Sequence, residues 1–426
     1  MQLSVFSEIG RLRAVMTHRP GAEIDYMPPA LMEDLLFDDI LHGASAREEH
    51  DVFTAVIEAF GVKNFDFQTL LCEAAAVDAG RTSLLISQVA EFDQLSPSIE
   101  ERLRAMTPDE LGRTLITGIP AAADAMHAGN FFDLAPLPNA LMARDPAVVI
   151  CNGVIIGSMK RGARARESLL SRFVHDVHPI LAGNARYLDF QADTKAARAL
   201  RFGSLSLEGG DVLLLKEGVI AVGVSERTME ASIDLLAQSL RKLGTFHTLI
   251  MVRMPGSRSQ MHLDTVFTRI SAGECLVYPP MLNEGYAETL STVSINLGKR
   301  SNDHGKRHVS FFSACRAAGL DLEPIPCGGN DDYIHQTREQ WTDGANSFCL
   351  APGFIIMYRR NERTLESLAR RGYDIVHDQD FLADPKSYRA AHADGGKVAV
   401  AIRSSELSRA RGGPRCMTMP LVREPA

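Results

Sequence analysis

The stretch Arg411-Gly412-Gly413-Pro414-Arg415-Cys416-Met417 sets a cysteine just after two glycines and a proline, with an arginine on either side of the turn. Glycine and proline make a tight, rigid loop, and neighbouring cations favour the thiolate, the nucleophilic form of cysteine. A cysteine that serves only as a small core hydrophobe needs none of this. Two further stretches carry groups that could assist such a nucleophile. Leu207-Glu208-Gly209-Gly210-Asp211-Val212 puts two carboxylates beside a glycine pair, where backbone can come close to a ligand. Met261-His262-Leu263-Asp264-Thr265-Val266-Phe267 spaces His262 and Asp264 two apart. On a strand both side chains share one face, as a general acid/base with an orienting carboxylate or as half of a metal site. Arg144-Asp145, after Pro138-Asn139, adds another acid. Taken singly, each of these reads equally well as a turn or a surface charge.

Taken together they describe an acid-lined pocket around a cysteine, and such a pocket suits a cationic substrate. Carboxylates pair bidentately with a planar guanidinium and prefer it to a point-like ammonium. Thiolate attack on the guanidinium carbon would give a tetrahedral intermediate, which expels ammonia if a histidine protonates the leaving nitrogen. Arg164, Arg227 and Arg411 are candidates to hold the α-carboxylate of such a substrate, although each alone reads as surface charge. Carboxylates close to Cys416 would oppose its ionisation. The thiolate is therefore expected mainly once a guanidinium is bound.

The composition bounds what such a site can serve. The 426 residues carry a formal charge of −8, which disfavours nucleic acid or an anionic membrane as partner. No apolar run reaches the roughly 20 residues of a membrane span, and Met1-Gln2-Leu3-Ser4-Val5-Phe6 does not open like a signal peptide. Seven scattered cysteines without CxxC spacing fit a reducing compartment and argue against a zinc site, so a cytoplasmic protein is expected.

The elements that must position these residues follow a recurring pattern. A strand over Leu12–His18 and a helix through Glu48 to Phe60 come first. Residues 69–120 then read as an all-helical insertion, with Leu84, Leu85, Val89 and Phe92 on one amphipathic face and Thr107-Pro108-Asp109-Glu110 opening another helix as a capping box. Afterwards a polar residue, a strand, a glycine turn, a second strand and usually a helix recur, opened by Asp145, Asp211, Asp264 and Asn346. With the first strand and helix as a partial fifth unit, the chain is expected to be one α/β catalytic domain over 1–426. A ring of quasi-symmetric ββαβ modules is one arrangement and an ordinary mixed α/β sandwich the other. A shared polar position heading each first strand favours the ring, because those positions would converge on one axis.

The residues also match a known family. Glu8-Ile9-Gly10-Arg11-Leu12, His18-Arg19-Pro20-Gly21 and Leu36-Phe37-Asp38-Asp39-Ile40 resemble signatures of the arginine deiminases. So do Leu207 to Val212, Ser225-Glu226-Arg227-Thr228, His262 to Phe267, Arg338 to Asn346 and Arg411 to Met417, in the family's order along the whole chain. The resemblance implies the five-bladed, pseudosymmetric α/β propeller of the guanidine-modifying enzymes with a helical insertion. It also implies hydrolysis of L-arginine to L-citrulline and ammonia without metal or organic cofactor. Cys416 would be the nucleophile, His262 the acid/base, Glu208 its partner, and Asp145 and Asp264 the guanidinium clamp. Asn139, Arg164, Arg227 and Arg411 would hold the amino-acid end. A small guanidine substrate, L-arginine first, is the expected partner, with no nucleic acid and no membrane. A homo-oligomer, dimer or tetramer, is also expected, although no sequence feature specifies which.

The chain departs from the family in places. Ala140-Leu141-Met142-Ala143 stands where an aromatic run is usual, so that Met142 replaces a phenylalanine pressing on the substrate, and Asn330 replaces a common glycine. Methionine fills irregular space flexibly, which leaves open a modified arginine or another guanidine. A dihydrolase, an amidinotransferase or a silent arginine-binding protein on the same fold are the other readings.

Overall fold

The computed structural model describes residues 1–190, 205–282, 290–298, 305–330 and 332–426. The chain folds into a mixed α/β architecture with six sheets among the described residues. Five of these sheets share one motif, in which an antiparallel pair of strands is joined by a parallel strand reached through a helix. Ala147–Ile150 and Gly153–Ile156 form a hairpin, helix Gly162–Val177 follows, and Ala185–Asp189 returns parallel. Val212–Lys216, Val219–Val224, helix Glu230–Leu243 and Thr248–Arg253 repeat this, extended by Ser291–Asn296 and Lys306–His308. Phe267–Arg269, Glu274–Val277 and Glu323–Pro326 make the third such sheet. In the fourth, Phe348–Ala351 and Phe354–Tyr358 are joined by Lys397–Ile402, and Tyr373–His377 is displaced to the edge.

The partial fifth unit is completed from the far end of the chain. Leu12–Thr17 runs parallel to Lys63–Asp66 across helix Gly43–Ala59, and its antiparallel neighbour is Met419–Arg423. The C-terminal strand thus takes the place of the missing first strand. Strands flanked on both faces read as nearly unbroken apolar runs, as in Val219–Val224 and Phe354–Tyr358, whose side chains are almost all buried.

Residues Phe67 to Thr117 run as four helices, Phe67–Val77, Ala79–Phe92, Pro97–Arg104 and Pro108–Thr117. The last has the capping box read from the sequence, with Thr107 and Glu110 each receiving the other's backbone N–H. The face of Ala79–Phe92 is corrected. Leu84 is 58% and Phe92 44% exposed, whereas Leu85, Ile86, Val89 and Ala90 are buried. This helix packs against Phe67–Val77, Pro97–Arg104 and Gly162–Val177, and that packing selects a stripe rotated from the expected one. No helix among the described residues is long and apolar enough to cross a membrane.

Candidate active site

The polar residues that open the repeats come together at one place. Asp145 stands just before Ala147–Ile150, Asp211 before Val212–Lys216, Asp264 before Phe267–Arg269 and Asn346 before Phe348–Ala351. Cys416 precedes Met419–Arg423 in the same way, so the cysteine heads the fifth motif. Asn346 Oδ1 accepts the backbone N–H groups of Arg415 and Cys416 at 3.1 and 3.2 Å, and its side-chain amide donates to the Asp264 carbonyl. Cys416 Sγ lies 3.7 Å from Asp264 Oδ2 and is 5% exposed.

His262 and Asp264 do not lie on a strand. Leu263–Thr265 is a 3-10 turn and the strand begins only at Phe267. Asp211 Oδ1 takes the Leu263 amide at 2.9 Å, and the Thr265 hydroxyl donates back to the His262 carbonyl at 2.6 Å. These bonds tighten the backbone and send the two side chains to different partners. His262 Nε2 is 2.9 Å from Glu208 Oε2, and its Nδ1 is 4.0 Å from Asp145 Oδ1. Asp264 faces Cys416 and Arg415 instead. The glycine pair after Glu208 permits this approach. A Cβ on Gly210 would fall 2.7 Å from the His262 ring, and one on Gly209 would fall 2.1 Å from the Arg144 carbonyl oxygen.

Burial alone would pull the His262 pKa down. The Asp145 charge and the hydrogen bond to Glu208 outweigh it, and the value rises to about 9. Asp145 is raised by burial but lowered further by His262 and Arg164, so it stays a carboxylate. Burial pushes the Cys416 thiol well above its ordinary range, and Asp264, Asp145 and Asp343 add to that against Arg415. Without a bound cation the pair is thus thiol and imidazolium.

The residues expected at the amino-acid end divide into two groups. Arg164 is engaged, with Nη1 donating to Asp145 Oδ2 at 2.8 Å and Nε and Nη2 to Glu167. Nothing in the sequence singled out Glu167, which lies three residues beyond Arg164 and so on the same helical face. Asn139 donates to the Leu35 carbonyl at 2.7 Å. By contrast, Arg227 Nη1 and Arg411 Nε and Nη1 are buried without a hydrogen-bond partner among the described residues. The same is true of Asp145 Oδ1 and Asp264 Oδ1. Met142 is buried in the same apolar cluster as Cys416 and lies over Gly412, while Asn330 is exposed at the surface.

Asp145, Glu208 and His262 bring three potential metal-ligand atoms within 4.8 Å of one another. Arg164 and Arg227 stand 3.8 Å from Glu208 Oε2, and Arg164 also donates to Asp145 Oδ2, so both carboxylates of this cluster already face guanidinium groups. The donor set therefore suits an organic cation better than a metal ion.

The family model described as arginine deiminase matches residues 33–423. The chain belongs to the arginine deiminase family. Among curated members it is 34% identical to the arginine deiminase of Limosilactobacillus fermentum, over 99% of this chain and 98% of that one. It is 35% identical to that of Listeria welshimeri with the same coverage. In fold it resembles the amidinotransferase SxtG from Microseira wollei, with a TM-score of 0.50 at 15% identity over 100% and 98% of the two chains. It also resembles the N-terminal domain of ArgZ, a cyanobacterial arginine dihydrolase, with a TM-score of 0.50 at 14% identity over 96% and 97%.

Proposed function

We propose that this family member hydrolyses L-arginine to L-citrulline and ammonia through a covalent amidino-cysteine. The observation that carries the reading is the pair of buried carboxylate oxygens, Asp145 Oδ1 and Asp264 Oδ1, that lack hydrogen-bond partners among the described residues, Asp145 near His262 and Asp264 near Cys416. Two such acceptors match the paired N–H edges of a guanidinium.

A guanidinium held there adds positive charge beside Cys416 and favours its thiolate, the thiol proton passing to solvent. The thiolate adds to the guanidinium carbon, and the His262 imidazolium gives its proton to a terminal nitrogen. The C–N bond breaks, ammonia leaves and an S-alkylthiouronium remains. Neutral His262, held by Glu208, then takes a proton from water while hydroxide adds to the same carbon. Collapse breaks the C–S bond, the adduct's hydroxyl proton passes to the departing sulfur, and citrulline leaves with Cys416 returned as the thiol beside the His262 imidazolium. Arg227 Nη1 and Arg411 Nε and Nη1, which lack hydrogen-bond partners among the described residues, supply donors for the substrate's carboxylate, and Asn139 and Arg164, which bond to each other, complete the amino-acid end. No step calls on a metal or an organic cofactor.

We place these residues in one catalytic domain over 1–426, with five ββαβ units closing as a propeller and residues 69–120 as a helical insertion. A cytoplasmic homo-oligomer, dimer or tetramer, completes the reading; the negative charge and the scattered cysteines support the compartment. Incubation with L-arginine should yield equimolar citrulline and ammonia, and Cys416→Ala should yield neither. Ornithine would point to a dihydrolase, and strict dependence on an added amine to an amidinotransferase. Met142 favours one second reading, a modified guanidine, because a flexible thioether lines the site next to Gly412. Turnover of such a compound in preference to arginine would establish it.

A further inference from the structure

Arg411 is 7% exposed, yet its guanidinium makes only two long hydrogen bonds, of 3.5 Å each, to the carbonyls of Arg258 and Ser259. Its Nε and Nη1 have no partner among the described residues. Asp343 and Asp38 lie near with opposite charge and Arg258 with like charge. None of these gives Arg411 a paired contact among the described residues. What holds the group is a face. Arg411 Cζ stands 3.4 Å from the ring centroid of Trp341.

Trp341 ends helix Tyr333–Trp341, and Arg411 follows the 3-10 turn Leu407–Ala410 in the left-handed region at φ 62°. A guanidinium stacked on an indole is fixed in plane and position while its N–H edge stays free. A free, fixed edge is what bidentate recognition of a carboxylate requires.

We propose that Trp341 is a positioning residue for the carboxylate end of the substrate, acting through Arg411. The stack presents the guanidinium edge to the site, in place of the hydrogen bonds that would otherwise consume its donors. This rests on the reading that Arg411 binds the substrate's carboxylate, and the test separates the two.

Steady-state kinetics with L-arginine would compare Trp341→Ala, Trp341→Phe, Arg411→Ala and the double Ala variant. Trp341→Ala should raise KM about 10-fold with kcat within about threefold, since stacking of a desolvated cation is being removed. Trp341→Phe keeps an aromatic face and should stay within about threefold of wild type. The double variant should be no worse than Arg411→Ala alone, because Trp341 then has nothing left to position. An unchanged KM in Trp341→Ala overturns the proposal, and so does additivity in the double variant. If Arg411→Ala leaves KM unchanged, the reading of Arg411 itself fails.

Trp341 is the only tryptophan of the chain, which provides a readout that needs no Trp341 variant to fold. Saturating Cys416→Ala protein with L-arginine should shift the tryptophan emission, and agmatine, which lacks the carboxylate, should not. Identical responses to the two ligands would overturn the proposal.

Discussion

Arg411 and Arg415 lie four residues apart in one loop, both are buried, and they differ in almost every other respect. Arg415 is fully paired. Its Nε and Nη2 donate to Glu8 at 3.1 Å, its Nη1 to Asp264 Oδ2 at 2.6 Å and its Nη2 also to the Val212 carbonyl. Burial lowers its pKa, but Glu8 and Asp264 outweigh that and the net shift is upward. For Arg411 burial prevails and the net shift is downward. Its backbone is left-handed and its main contact is an aromatic face. The lesson is that a buried charge with its donors consumed serves the frame, whereas one with its donors spare is the one available to a ligand, the role proposed for Arg411. Arg415 ties Asp264 down by Oδ2, and Oδ1, the acceptor proposed for the substrate, has no hydrogen-bond partner among the described residues, so that the frame is a precondition of the proposed site.

The largest effect expected from this contrast is on stability. Arg415→Met takes the paired cation from Glu8 and Asp264 Oδ2, leaving them only the Leu214 amide and the Cys416 sulfur among the described residues, and should cost about 3–5 kcal/mol, read from the urea midpoint. A loss below about 1 kcal/mol would put Arg415 on a par with a surface pair and erase the contrast.

The same pair should appear in acid unfolding. Burial raises the Glu8 pKa, but Arg415 and Arg144 lower it more, and it falls from 4.5 to about 2. A depressed folded value gives stability that is fully present above 4.5 and is lost as pH falls toward 2. The shift corresponds to about 3 kcal/mol. Stability curves of wild type and Glu8→Gln should differ above pH 4.5 and converge below it; a constant gap would remove Glu8 titration as the cause.

Arg411 should behave in the opposite way. Arg411→Gly should leave stability within about 1 kcal/mol of wild type, since glycine relieves the left-handed backbone. KM for arginine should rise about 10–100-fold with the loss of a charge-assisted carboxylate contact. A strongly destabilised Arg411→Gly protein would make this arginine part of the frame after all.

His262 lies between these extremes, a buried cation hydrogen-bonded on one side and near a second carboxylate on the other. Its pKa is raised from 6.5 to about 9, so the stability it contributes is fully present below pH 6.5 and is lost as pH rises through 9. Glu208→Gln should lower that pKa by about one unit, as followed by NMR of the ring protons. An unchanged titration would assign the shift to Asp145 and Asp211.

Much of this was legible without coordinates. Strand, turn and strand were marked by apolar runs around Asn152-Gly153, Glu217-Gly218 and Pro352-Gly353, because a hairpin depends on neighbours in sequence. The capping box at Thr107 was legible for the same reason, as it joins residues three apart. The side-chain set around Cys416 could be assembled because each member stood beside a glycine or at the head of a repeat. Leu84 and Phe92 misled because helical period gives a stripe but not which of two adjacent stripes faces the core. His262 and Asp264 misled because alternation suits a strand, whereas capture of the Leu263 amide by Asp211, 52 residues earlier in the chain, makes a turn.

The sequence by itself therefore determined the element types, the repeated motif and the chemical inventory, since these rest on contacts within a few residues. Tertiary structure decided the rest. It supplied Met419–Arg423 as the missing strand beside Leu12–Thr17 and set Cys416 at its head. It paired Arg415 with Glu8 across 407 residues and set Trp341 under Arg411. It left Asp145 Oδ1 and Asp264 Oδ1 without hydrogen-bond partners among the described residues. Which donors are consumed and which stay free depends on what distant segments bring to the same point, and no local pattern encodes that.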